Sequence, residues 1–149
     1  MVKIIVHRIN KLKNYIKLKN FYGIETDVRD FGSKIVLSHN PHTNGEDFFK
    51  FVKKIDKTIF LNIKSSGILK KIIHFVKNKD IYFLDISFSE FDLLFKKNLS
   101  HRFILRFSSY ENFNLNSKYF KKIKWIWFDY FNNSKLTLKN FKYLKKNKK

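Results

Sequence analysis

A chain of 149 residues is one domain's worth of sequence, and 44% hydrophobic with 18% aromatic content excludes a disordered polymer. The absence of cysteine excludes a disulfide framework and any thiolate metal site. A formal net charge of +20 argues against cationic partners and in favour of anionic ones.

The kinds of basic residue nevertheless argue against nucleic acid as the partner. Lysine supplies nearly all the positive charge, with Arg8, Arg29, Arg102 and Arg106 the only arginines, whereas nucleic-acid readers favour the guanidinium fork. The chain also lacks Ala and Gln and is crowded with Lys, Asn, Ile and Phe, a bias that A/T-rich codons produce. No apolar run has the length of a membrane-spanning helix, and the opening MVKIIVHRIN reads as a strand and not as a signal peptide, so the expected location is cytoplasmic.

In chain order, Lys3 to Val6 forms a short strand ending at His7-Arg8. Asn10 reads as an N-cap, with Leu12, Tyr15 and Ile16 as a helical apolar stripe. Gly23 to His39, GIETDVRDFGSKIVLSH, reads as a strand, a tight turn at Phe31-Gly32-Ser33 and a second strand. Glu25 and Asp27 leave one face of that first strand, with Cα atoms roughly 7 Å apart. A divalent cation fits between two such carboxylates, although solvated acids on a half-buried strand give the same pattern.

Pro41 to Gly45 is a loop, and Phe48, Phe49, Val52 and Ile55 mark the buried side of a helix. Thr58 to Lys64 is a strand with Asn62 and Lys64 on one face. Ser65-Ser66-Gly67 opens a helix lined by Ile68, Leu69, Ile72, Ile73 and Val76, with His74 on the solvent side. Ile81 to Ile86 is a strand bearing Asp85, followed by a Ser87–Glu90 capping box that starts a helix facing inward through Phe91, Leu94 and Phe95. Phe103 to Phe107 is a strand bearing Arg106. The segment Ser108 to Lys122 holds at most a short helix around Tyr119. Lys124 to Tyr130 is a strand bearing Asp129, Thr137 caps a last helix, and a lysine-rich tail covers 145–149.

Strand and helix thus alternate about six times over a single domain, residues 1–149. That order predicts an α/β fold with a parallel sheet, and the residues at the strand ends favour a TIM-barrel-like (β/α) barrel over a doubly wound sheet. His7, Arg8, Glu25, Asp27, Asn62, Lys64, Asp85, Arg106 and Asp129 all stand near the C-terminal ends of predicted strands, the rim where barrels gather their chemistry. Eight units and about 200 residues are usual, so the barrel is expected to be incomplete. Open edges would then invite oligomerisation.

The series His7-Arg8, Glu25-x-Asp27, His39 and Asn62-x-Lys64 resembles, in order, the glycerophosphodiester phosphodiesterase and phosphatidylinositol-specific phospholipase C superfamily. The resemblance implies a phosphoric diester hydrolase acting on a glycerophosphodiester or a phospholipid headgroup. It implies that His7 and His39 are the acid and base, that Arg8 and Lys64 contact the phosphate, and that Glu25, Asp27 and Asn62 hold a divalent metal. Oxygen donors without cysteine suit Mg²⁺ or Ca²⁺. Asp85, Arg106 and Asp129 become possible substrate contacts, or else pair with one another or with lysines around the rim.

Two departures stand out. Asn62 occupies the place of a carboxylate in the glycerophosphodiesterase pattern, and the Asn40–Glu46 loop lacks that branch's small insertion. A non-catalytic domain binding a phosphorylated ligand, or a basic nucleic-acid binder, are the competing readings. His42 and His101 read as solvated, and Trp125 and Trp127, sharing a strand face, read as core packing.

Overall fold

The computed structural model describes residues 3–108 and 123–129, together with residue 142. The elements are β1 (Ile5–Val6), α1 (Leu12–Tyr15), β2 (Gly23–Phe31), β3 (Lys34–Leu37), β4 (Glu46–Asp47), α2 (Phe48–Lys53), β5 (Ile59–Ile63), α3 (Leu69–Ile72), β6 (Ile81–Leu84), α4 (Phe88–Lys96), β7 (Ile104–Phe107) and β8 (Trp125–Phe128). A 3₁₀ turn at Ser100–Arg102 precedes β7. The helices expected around Tyr119 and after Thr137, and the tail 145–149, lie outside the described residues.

Nine-residue β2 is the hub. Its first half pairs in parallel with β1 (Ile5↔Gly23), and its second half pairs on the same edge, antiparallel, with β3 (Val28↔Leu37 to Phe31↔Lys34). Its other edge pairs in parallel with β5, and β5 in turn with β6. β4 adds antiparallel to β3, completing a six-stranded sheet, while β7 and β8 form a separate parallel pair. Among the described residues, a single parallel bridge, Phe83 to Phe103, joins the two sheets.

The expected TIM-barrel-like barrel of parallel βα units is therefore not the fold: the protein is mixed α/β. The tight turn works as expected, since Gly32 at φ 59° leads a two-residue loop and folds β3 straight back. That return occupies the edge of β2 with antiparallel strands, and the sheet becomes mixed. The crossover helices are also too short for a regular outer layer. α1 and α3 have four residues each, and Ile16, expected in the α1 stripe, is exposed. Isolated single turns of helix are marginal and survive here by packing.

Better-capped helices are longer. Asp47 accepts from Lys50 N–H at 2.8 Å to start α2, and the Ser87–Glu90 capping box starts α4. Buried Glu90 also accepts from the backbone N–H groups of Gly67 and Leu69, tying α4 to the start of α3.

The two sheet faces have different contents, following the period of two. Ile24, Val28, Ile59, Leu61, Ile63, Ile81 and Phe83 enter the main core with Phe48, Phe51, Val52, Leu69, Ile72 and Leu94. The register pairs Glu25 with Phe60 and Asp27 with Asn62, and so places them on the opposite face. There a second cluster of Phe60, Leu84 and Ile104 packs with Ile5, Tyr82, Trp125 and Trp127. The polar residues of that face sit beyond this cluster, toward the C-terminal strand ends. No helix among the described residues is long and apolar enough to cross a membrane.

Candidate functional site

A cavity of about 250 Å³ opens at those strand ends, lined by His7, Arg8, Glu25, Asp27, His39, Asn62, Lys64, Arg106, Trp127 and Asp129. Ten residues from six separate stretches converge there, among them nine of the ten expected from the sequence. The tenth, Asp85, stands just behind: its carboxylate receives two bonds from Arg106, at 2.7 and 2.5 Å, and lies 3.8 Å from Lys64 Nζ.

Glu25 and Asp27 are almost wholly buried, so each needs partners. Glu25 Oε2 accepts from the Arg8 backbone N–H at 2.8 Å. Asp27 is engaged through both oxygens. Its Oδ2 accepts from the Asn10 amide at 2.9 Å, and its Oδ1 lies 3.2 Å from His39 Nδ1 and 3.7 Å from Lys64 Nζ. On the far side of the ring, His39 Nε2 faces Arg8 Nη2 at 3.4 Å. A guanidinium only donates, so Nε2 presents its lone pair and Nδ1 carries the proton toward Asp27. His39 is thus a histidine oriented by a buried carboxylate. His7 takes a different environment, exposed and packed on Trp127 with ring centroids 4.5 Å apart.

Two residues at strand exits adopt left-handed backbone, Arg8 at φ 55° and Asp85 at φ 58°. Such conformations are unfavourable for residues with a Cβ and concentrate at functional sites. Both turn the chain away at the exit of β1 or β6.

Arg106 bridges Asp85 and Asp129, with Trp127 donating its indole N–H to Asp129 at 2.8 Å. Burial works against the guanidinium charge, but the two carboxylates outweigh it and raise its pKa. These three side chains pair with one another, one of the alternatives open from the sequence, and the cluster borders the cavity through Arg106 and Asp129.

The donors expected for a metal are all oxygens, as a hard cation requires. Asn62 Oδ1 is buried with no hydrogen-bond partner, the signature of a group shaped for something else. Glu25 and Asn62 fit a hard cation on that ground. Asp27 is already committed to Asn10 and His39, so a cation there would compete with both. Among the described residues, no three His, Asp or Glu side chains are grouped as a metal site.

Sequence reasoning missed three contributors. Asn10 does not cap α1, whose N-cap is Lys11 without a side-chain bond. Its amide oxygen instead accepts from Thr26 Oγ1 and the Asp27 N–H, both at 2.8 Å, while its NH₂ holds Asp27. Arg29 donates to the carbonyls of His39 and Lys64, at 3.2 and 3.3 Å, joining the ends of β3 and β5 beneath the site. Trp127 lines the cavity, whereas Trp125 packs against Phe60 and Tyr82 as expected. The signal for Trp127 was available in its neighbour Asp129, two residues on and just past the end of β8. His101, read as solvated, is partly buried, and burial with the nearby Lys124 and Arg102 lowers its pKa. No family model, curated protein or solved structure matches this chain.

Proposed function

We propose that the protein is a phosphodiester hydrolase with chemistry like that of the glycerophosphodiester phosphodiesterases, acting on a glycerophosphodiester or a phospholipid headgroup. The observation that supports this best is the convergence of His7, Arg8, His39 and Lys64 with buried Glu25 and Asp27 on one cavity. Cleaving a phosphodiester needs a base for the attacking hydroxyl, an acid for the leaving alkoxide and cations for the phosphoryl oxygens. His39 suits the base. Asp27 fixes its tautomer and steadies the imidazolium that forms, while Nε2 faces the cavity side that Arg8 shares. His7, packed at a tilt against the Trp127 ring, suits the acid that protonates the leaving oxygen. Arg8 and Lys64 bring positive charge to the phosphoryl oxygens. A Mg²⁺ or Ca²⁺ ion held by Glu25 and Asn62 would add Lewis-acid stabilisation of the same charge.

The test is turnover of bis-p-nitrophenyl phosphate and of a glycerophosphodiester, with Mg²⁺ or Ca²⁺ supplied. His39→Ala and His7→Ala are each expected to lose about 10²–10⁴-fold in rate while keeping the native circular-dichroism spectrum. Absence of turnover by folded protein with every divalent ion tried overturns the reading.

A second reading has its own support. Asp27 is fully engaged and Asn62 carries no charge, an arrangement that suits a site binding a phosphorylated ligand without cleaving it. That reading expects phosphate binding that Arg8→Ala and Lys64→Ala abolish and Glu25→Gln leaves intact.

A further inference from the structure

The opposite end of the molecule carries a surface with a different character. Lys3, Tyr22, Thr58 and Asp80 stand at the starts of β1, β2, β5 and β6, so this end is as far from the candidate site as the strands allow. The connection from residue 11 to residue 22 leaves the site end, where the Leu12 N–H donates to Glu46, and runs to this end. It carries Lys11, Lys13, Lys17 and Lys19, the last two nearest Phe21, with no acidic residue of its own. All four lysines are exposed, and none forms an ion pair among the described residues. Among them stand two of the most exposed large apolar side chains, Ile16 at 71% and Phe21 at 62%, with Ile4 at 49% beside the same connection. The Gly23 N–H donates to the Ile4 carbonyl at 2.9 Å, which fixes that adjacency.

This connection is anchored. Lys57 Nζ donates to the carbonyls of Leu18 and Lys19, at 3.3 and 2.9 Å, and lies over the Tyr15 ring. The nearby acids are satisfied internally, Asp56 by the Tyr15 hydroxyl and Asp80 by Lys3 and Thr58. Ile16 and Phe21 are therefore presented outward from a held segment, and the carboxylates of Asp56 and Asp80 beside Phe21 are outnumbered by Lys3, Lys17, Lys19 and Lys57.

We propose that this end docks on an anionic membrane surface, a property independent of the cavity's chemistry. Interfacial binding combines apolar side chains at the acyl boundary with lysines at anionic headgroups, and both are present within one short segment. A second copy of the chain is a poor occupant, because a net charge of +20 would meet itself. Nucleic acid accounts for the lysines but leaves Ile4, Ile16 and Phe21 against phosphates, and the segment has no arginine.

Co-sedimentation of the whole chain with vesicles tests the proposal. Binding is expected to vesicles of phosphatidylcholine with one-third phosphatidylserine, and not to phosphatidylcholine alone. The Ile16→Ser/Phe21→Ser double variant is expected to bind about tenfold or more weakly at unchanged charge. Lys17→Gln and Lys19→Gln are expected to lose about fivefold each. Phe88→Ser, which removes a still more exposed ring near the other end, is expected to change nothing. Thermal melts of each variant, all at exposed positions, check the fold. The proposal is overturned by no binding to anionic vesicles, by full binding in the Ile16/Phe21 variant, or by displacement with duplex DNA whose own affinity ignores Phe21→Ser.

Discussion

The side-chain amide of Asn10 closes onto Asp27 from both ends, donating to Oδ2 at 2.9 Å and accepting from the Asp27 backbone N–H at 2.8 Å. With one carboxylate oxygen held this way, the other is left to face His39. The carboxylate that orients the ring is thus itself oriented by a residue on the connection between β1 and α1.

Asn10→Ala strips a donor from a buried carboxylate and should cost about 2 kcal/mol of stability in urea unfolding. It should also release the imidazole. Side-chain ¹⁵N spectra, in which protonated and lone-pair nitrogens are well separated, should show His39 passing from one tautomer to a mixture. Turnover, if present in the parent, should fall about 100-fold as the base loses its orientation. A variant with weakened folding and an unchanged tautomer would confine Asn10 to a structural role.

Asn62→Asp places a carboxylate directly across from Asp27 in the β2–β5 register. Like charges facing each other across strands are unfavourable, so the metal-free variant should be less stable by about 1 kcal/mol or more. The added charge should raise divalent-ion affinity at least about tenfold. Calorimetric titration with Ca²⁺ and Mg²⁺ measures the second effect, and the rise in melting temperature on adding metal should be larger than in the parent. Equal affinities in the two proteins would argue against a cation next to residue 62.

Arg106 is the shared partner of Asp85 and Asp129. Arg106→Gln should cost about 2–3 kcal/mol in unfolding, because two partly buried carboxylates lose their counter-charge together. Arg106→Lys should recover only part of this, since an ammonium cannot reproduce the paired bonds to Asp85. Full recovery by lysine would show that charge alone matters there.

At the other end, burial pushes the Asp80 pKa up, but hydrogen bonds from Thr58 and Tyr82 and the charge of Lys3 outweigh it, and the net shift is downward from 3.8. A carboxylate with a lowered pKa stabilises the fold above its unfolded value. That contribution is complete above pH 3.8 and disappears as pH falls toward the folded pKa. Asp80→Asn should therefore lower the melting temperature at pH 6 while flattening its dependence on pH below 3.8. A parallel shift at every pH would assign the effect to packing.

The site was more legible in this sequence than the fold. His7, Glu25, Asp27, Asn62 and Arg106 stand on or just beyond strands of alternating pattern, and a period of two fixes which face each takes. Their convergence follows from strand order and register, with little dependence on the helices between. The helices themselves misled. The apolar spacing at Leu12, Tyr15 and Ile16 suits a helix, yet only four residues take that form and Ile16 points to solvent. Alternation of strand and helix also suggested a closed parallel arrangement. The Gly32 turn, correctly read, already contained the contrary information, because a strand returning at once must pair antiparallel. Asn10 was hidden for a different reason. An asparagine before a helix suits an N-cap, and nothing local shows that its partner lies 17 residues on in β2.

Arg8 and Asp85 have a consequence beyond the geometry they create. Each holds left-handed backbone at φ near 55–58°, which costs a residue with a Cβ about 1 kcal/mol or more. Glycine at residue 8 would relax the chain while removing a charge from the cavity, whereas glycine at residue 85 would also strip Arg106 of a carboxylate partner. Selection for stability alone, as in a heat-tolerance screen of random variants, should therefore repeatedly recover glycine at residue 8 and not at residue 85. Those gains should be accompanied by weaker binding of anions.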